Sequence, residues 1–145
     1  MVNTLKLPVG IDSFEKIRKN QFYYIDKTKL IEQLVETGGE VTLFTRPHRF
    51  GKTLNMSMLE YFFSNQYAGY SRYFEGLQIW KSEKYRELQG SYPVIFISFA
   101  SVKGATYQDA RLGITRISKE SIFSDLNNLE IVTTDSRKYE TAFGF

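Results

Sequence analysis

The segment VTLFTRPHRFGKTLNMSMLEYFF, residues 41–63, constrains this chain more than any other stretch. Val41, Thr42, Leu43 and Phe44 read as a buried strand. A basic loop over residues 45–50 follows, then Gly51-Lys52-Thr53, then a run with helical periodicity. Strand, loop, glycine and helix is the order in which a chain builds a phosphate-binding loop. Amide N–H groups at a helix N-terminus carry partial positive charge and donate to phosphate oxygens. In that reading Lys52 lies near the β and γ phosphates, and Thr53 offers its hydroxyl to Mg2+. The full pattern G-x-x-x-x-G-K-[ST] asks for glycine where this chain has Arg46. Glycine there tolerates positive φ, whereas Arg46 before Pro47 is biased toward extended conformations. Gly-Lys-Thr or Gly-Lys-Ser alone arises by chance in on the order of one chain in ten of this length. The strand and helix signals on either side therefore carry the reading. The plainer alternative is a basic strand-to-helix turn with Lys52 solvated.

The stretch FTRPHRFGKTLNMSML, residues 44–59, resembles the variant Walker A of the bacterial AAA-ATPase-like family. In that family the segment commonly reads T-R-P-R-R-F-G-K-T, so arginine at the first-glycine position is the family habit. Members often carry a PD-(D/E)XK nuclease-like domain further along. Four more stretches agree: LPVGIDSFEKIRKNQFYYIDKT (7–28), YFEGLQIW (73–80), YPVIFISF (92–99) and GITRISKESIFSDLNN (113–128). The resemblance covers nearly the whole chain. It implies an α/β fold, a P-loop NTPase-like three-layer α/β/α core, that binds ATP with Mg2+. Carried onto this sequence, it implies nucleotide contacts from Arg46, Pro47, His48, Arg49, Phe50, Gly51, Lys52, Thr53 and Leu54. Thr53 is the implied metal contact and Lys52 the implied catalytic cation. Asp26-Lys27 recurs in the family within Y-x-D-K-T and is a candidate nucleotide contact.

At 145 residues the chain suits one domain over 1–145, large enough for a real core. Its parts are an N-terminal extension (1–39), a P-loop half (40–111) and a closing segment (113–145). With 42% hydrophobic and 16% aromatic residues, the composition argues against disorder. No cysteine is present, which excludes a disulfide framework and cysteine-based metal sites. Nothing resembles a signal peptide or a membrane-length apolar run, so a cytoplasmic, membrane-free protein is expected. The net charge of +3 is compatible with anionic ligands, and its densest cluster is Arg46, His48, Arg49 and Lys52.

Local signals place the helices. Asp12-Ser13-Phe14-Glu15 has the reach of a capping box and starts a short helix toward Asn20. Residues 22–25 form an aromatic, strand-like run, read as core packing ahead of an adenine platform. Asp26 is placed to cap a second helix, with Ile25 and Leu30 as a hydrophobic staple. Leu30, Ile31, Leu34 and Val35 form its apolar stripe, and Gly38-Gly39 ends it. After Thr53, the stripe Leu54, Met58, Tyr61 and Phe62 should pack a third helix onto the strand before it. Residues 67–73 read as an aromatic loop docked by residues 74–80. Residues 82–89 read as a short surface helix stopped by Gly90. Residues 94–97 (VIFI) read as a strand covered on both faces.

One part of an ATPase is missing. No apolar strand ends in Asp-Glu, the carboxylates that hold Mg2+ through water and polarise the attacking water. The family pattern places the segment from Gly113 after its Walker B strand, so the Walker B and sensor strands are expected to be absent near Leu112. The chain then reads as an internally deleted or truncated member. Residues 41–44 would lose both customary neighbours and pair instead with residues 94–99 and 131–133 in a rearranged three-strand sheet. Poor solubility, self-association or dependence on a partner domain is an equal expectation. The resemblance puts Arg116 in a strand-end-to-helix turn near the nucleotide, as an arginine finger or a solvated basic residue.

Three functional readings follow. The first is a nucleotide-binding module with hydrolysis weak or absent. The second is an active ATPase using an unrecognised carboxylate such as Asp26, Asp109 or Asp135. The third is a nucleic-acid-binding or interaction fragment using Arg46, Arg49 and Lys52.

Overall fold

The computed structural model describes residues 6–45, 47, 50–100 and 102–128, with side chains through residue 122. Every regular element among them is helical. The chain divides into two compact units, Met1–Val94 and Ile95–Phe145.

Among its described residues the first unit holds four α-helices and two 3₁₀ segments. Helix α1, Phe14–Lys19, begins where Ser13 Oγ accepts from the Lys16 amide at 3.4 Å and ends at Asn20. The cap is therefore a single serine rather than the expected capping box, because the position three residues on is Lys16, which has no carboxylate to return a bond. Helix α2, Lys29–Thr37, closes on Gly38 in the left-handed conformation. Helix α3, Lys52–Phe63, is the longest of this unit. A 3₁₀ stretch, Asn65–Tyr73, and a shorter one, Gln78–Lys81, lead to helix α4, Glu83–Leu88. Gly90 follows α4 with φ +70, and a β-carbon there would lie 2.4 Å from Ala68 Cα. Only glycine fits this close approach.

These elements enclose one core. Phe14, Ile31, Met58, Phe62, Phe74 and Ile79 are all completely buried. The stripe on α3 is as its spacing predicts: Met58 and Phe62 point inward, with Leu54 and Tyr61 packed against the cluster. Its partner differs, because α3 packs on α1 and on the 3₁₀ stretch after it. Aromatic rings fill much of the volume, with Phe14 and Phe74 centroids 5.0 Å apart and Phe62 edge-on to Phe74 at 5.2 Å. Polar ties span the sequence: the Arg18 guanidinium donates to the carbonyls of Tyr73 (2.6 Å) and Glu75 (2.8 Å). The Phe14 amide donates to Ser57 Oγ at 3.2 Å.

The expected three-layer α/β/α core is not what forms. Among the described residues there is no strand and no sheet. Residues 41–45 are irregular, with Val41 88% and Leu43 82% exposed. Residues 94–99 are likewise irregular, and so are residues 22–25, where the Phe22 and Tyr23 amides donate to the carbonyls of Ile17 (3.0 Å) and Lys6 (2.9 Å). Of the expected three-strand sheet, residues 41–44 and 94–99 form no strand, and residues 131–133 lie outside the described residues. Among the described residues, Ser64 and Tyr92 form an isolated parallel bridge. The physical reason is non-local. A helix satisfies its backbone internally, whereas a strand needs a neighbour for each N–H and C=O.

In the second unit, helix α5 spans Tyr107–Asn128. Its start is a reciprocal cap: the Thr106 amide and hydroxyl donate to Asp109 Oδ2 at 3.2 and 2.8 Å, and the Asp109 amide donates back to Thr106 Oγ1 at 3.2 Å. The helix runs unbroken through Gly113-Ile114-Thr115-Arg116, so this is not the strand-end turn that the resemblance implies. No helix among the described residues is long and apolar enough to cross a membrane.

Candidate functional site

The left-handed Gly51 (φ +73, ψ 27) turns the chain into α3, a conformation that costs a residue with a side chain about 1–2 kcal/mol. The helical ladder starts with the Asn55 amide donating to Gly51 O at 2.9 Å. The amides before it lie ahead of the ladder, at the positive end of a twelve-residue helix. No side chain caps this end and no acidic residue occupies its first turn. Lys52 and Thr53 are exposed there, and Leu54 is half-buried against the core. Phe50, immediately before Gly51, is 61% exposed. Pro47 is exposed as well, while Arg46, His48 and Arg49 lie outside the described residues.

A residue from a distant loop reaches the same turn. A β-carbon built on Gly51 would lie 3.7 Å from Lys27 Nζ. The turn carrying Lys27 is tightly held. Asp26 Oδ1 accepts from the Thr28 amide at 2.8 Å and the Thr28 hydroxyl at 2.7 Å, and Oδ2 accepts from the Gln78 amide at 2.7 Å. Thr28, fully buried, accepts in turn from the Ile79 amide at 3.2 Å. Burial alone would raise the Asp26 pKa, but the hydrogen bonds from Thr28 and Gln78, with the Arg18 charge, bring it below its ordinary value. Asp26 thus organises the turn before α2 and does not cap the helix itself, whose N-cap is Thr28. Ile25 is 64% exposed, so no hydrophobic staple forms. The core-packing reading of the aromatic run holds at Tyr24, which sits edge-on to Phe14 at 5.5 Å and donates to Met58 Sδ at 3.2 Å. Burial, and then the Asp26 charge, push its hydroxyl up to about 12.

Among the three carboxylates suggested for hydrolysis, Asp26 has both oxygens engaged with Thr28 and Gln78, and Asp109 caps α5. Asp135 lies outside the described residues. Arg116 sits within α5 of the second unit, exposed, with Nε 3.9 Å from Glu120 Oε1. Asn55, one turn into α3, has a buried side-chain oxygen without a hydrogen-bond partner among the described residues. That atom is an acceptor, so it would not serve a phosphate. No cluster of three or more His, Asp or Glu side chains able to hold a metal occurs among the described residues. The ties of Asp26 to Gln78 and of Thr28 to Ile79, and the approach of Lys27 to Gly51, have no signal in local spacing.

A family model described as predicted AAA-ATPase matches residues 8–141. The chain is also 39% identical over 107 residues to the uncharacterized protein in vnfD 5'region of Azotobacter chroococcum mcd 1. That alignment covers 73% of this chain and 19% of the relative, so the chain spans about a fifth of the relative's length. No solved structure matches.

Proposed function

The chain belongs to the AAA-ATPase-like family, and from that premise we propose that it binds a nucleoside triphosphate, ATP with Mg2+, at the turn opening α3. Hydrolysis in this form is weak or absent. The observation that carries the reading is the start of α3 itself. Gly-Lys-Thr opens a twelve-residue helix from a left-handed glycine, with amides ahead of the ladder.

Each residue has a role in this reading. Gly51 lets the backbone turn without a side chain in the way of a phosphate. The Lys52 ammonium offsets charge on the β and γ phosphates. Thr53, exposed in the first turn, would offer its hydroxyl to Mg2+ alongside the phosphate oxygens. When bound, Mg2+ would supply positive charge to the phosphates. Arg46, Pro47, His48, Arg49 and Phe50 would line the loop. Weak hydrolysis follows from the carboxylates, since Asp26 and Asp109 are committed to backbone and hydroxyl groups.

Calorimetric titration with ATP, with and without Mg2+, tests this on the wild type and on Lys52→Ala. Binding should strengthen with Mg2+ and weaken at least tenfold in the variant. Equal affinity in both proteins would overturn the reading. So would salt-sensitive binding to single-stranded DNA that ATP does not displace.

A further inference from the structure

Residues 41–45 are open to a partner through both backbone and side chains. Val41 and Leu43 stand almost wholly in water, and Thr42 and Thr45 are exposed with them. Among the described residues no hydrogen bond engages an amide or carbonyl of this stretch. Unpaired backbone groups that carry β-branched and apolar side chains are a template for another strand.

The flanking residues say which strand fits. The stretch reads Glu40-Val41-Thr42-Leu43-Phe44-Thr45-Arg46, with opposite charges three residues to either side of Leu43 and none between them. Glu40 is exposed, and Arg46, outside the described residues, enters by its place in the sequence alone. In an antiparallel pair centred on Leu43, Leu43 of one copy faces Leu43 of the other, and Val41 faces Thr45. Glu40 then faces Arg46 at both ends, and opposite charges across a strand pair attract. Other registers lose this match. Parallel in-register pairing sets Glu40 against Glu40 and Arg46 against Arg46, like charges directly opposite. A one-residue slip of the antiparallel pair puts Leu43 opposite Thr42 or Phe44 and leaves both charges unmatched. Residues 94–99 (VIFISF) are irregular too, but they carry no charge to fix a register.

We propose that residues 40–46 are a self-recognition edge, through which two copies of this chain pair antiparallel about a two-fold axis at Leu43. A foreign strand could bond to the same backbone, but a second copy always presents the matching charge at each end. A pair of such short strands buries less than the roughly 1,200 Å2 at the low end of stable interfaces, so the dimer is weak and concentration-dependent. The proposal does not depend on the nucleotide reading.

The test is sedimentation of the full chain, without nucleotide, at concentrations up to the millimolar range. It uses wild type, Glu40→Arg, Arg46→Glu and an equimolar mixture of the two variants. Wild type should dimerise reversibly. Each variant alone brings like charges together at both ends, and its dimerisation should be about tenfold weaker. In the mixture each end again joins opposite charges, and association should return to wild-type strength as a heterodimer. Raising salt should weaken the wild-type dimer and strengthen that of each variant. Circular dichroism of Glu40→Arg should match the wild type, since Glu40 is exposed. A wild type that stays monomeric overturns the proposal, as does association that neither charge reversal weakens. Weakened variants that do not recover on mixing overturn it as well. Association that survives both charge reversals and disappears in Ile95→Lys would place the contact in residues 94–99 instead.

Discussion

Residues 41–44 and the inner face of α3 are similarly apolar in sequence, and they end in opposite environments. Val41 and Leu43 are 88% and 82% exposed, whereas Met58 and Phe62 are fully buried. The difference lies in how each satisfies its backbone. Helix α3 closes its own hydrogen bonds and can lay its stripe on whatever apolar surface is present. Residues 41–44 carry eight backbone N–H and C=O groups and find no strand to pair with. Burying those groups unpaired costs about 1–3 kcal/mol each. Burying each apolar side chain contributes only about 1.5–3 kcal/mol. The polar cost wins, and the segment stays in water.

The largest effect that tests this contrast is in the core. Phe62→Ala should lower unfolding free energy by about 3–5 kcal/mol, read by urea denaturation, because Phe62 is sealed among Phe63 and Phe74. A loss below about 1 kcal/mol would mean the core is not packed as described.

A middle-sized effect belongs to the turn between the aromatic run and α2. Asp26→Ala removes the acceptor of three hydrogen bonds and leaves both the amide and the hydroxyl of the buried Thr28 without their acceptor, a loss of about 2 kcal/mol. The folded pKa of Asp26 is lowered, so its contribution is present above the unfolded carboxylate range, near pH 4, and fades as pH falls through the folded value. The gap between wild type and variant, followed by urea denaturation at several pH values, should therefore be constant near neutrality and shrink in acid. A gap that widens in acid would contradict the assignment.

The smallest effect is on the exposed side of the contrast. Leu43→Ser should change stability by no more than about 0.5 kcal/mol, since the side chain is already in water. A cost of about 2 kcal/mol would place residue 43 in a buried environment and break the comparison. Sedimentation of the same variant sharpens it, because removing an exposed apolar group should reduce self-association.

What was legible in the sequence follows the same division. Helices α1 to α4 announce themselves through local features: Ser13 at a cap, the Leu54–Phe62 stripe, and Gly38 and Gly90 beyond helix ends. The strand readings of residues 41–44 and 94–97 failed because apolar runs report what a segment could pair with, not whether a partner exists. Gly113-Ile114-Thr115-Arg116 shows the converse, a helix set by the Thr106–Asp109 cap several residues upstream. At the candidate site, Gly51-Lys52-Thr53 is visible as a motif, and its left-handed glycine and helix start agree with it. The approach of Lys27 to Gly51 is a tertiary feature, beside hydrogen bonds that link residues 26 and 28 to residues 78 and 79.

The most direct measurement of the central claim is a set of amide spectra of the full chain recorded while MgATP is added. Phosphate held at the start of α3 predicts that the amides of Gly51, Lys52, Thr53 and Leu54 shift first and furthest, with no such change in Lys52→Ala. Shifts confined to other parts of the chain, or none at saturating nucleotide, would contradict it.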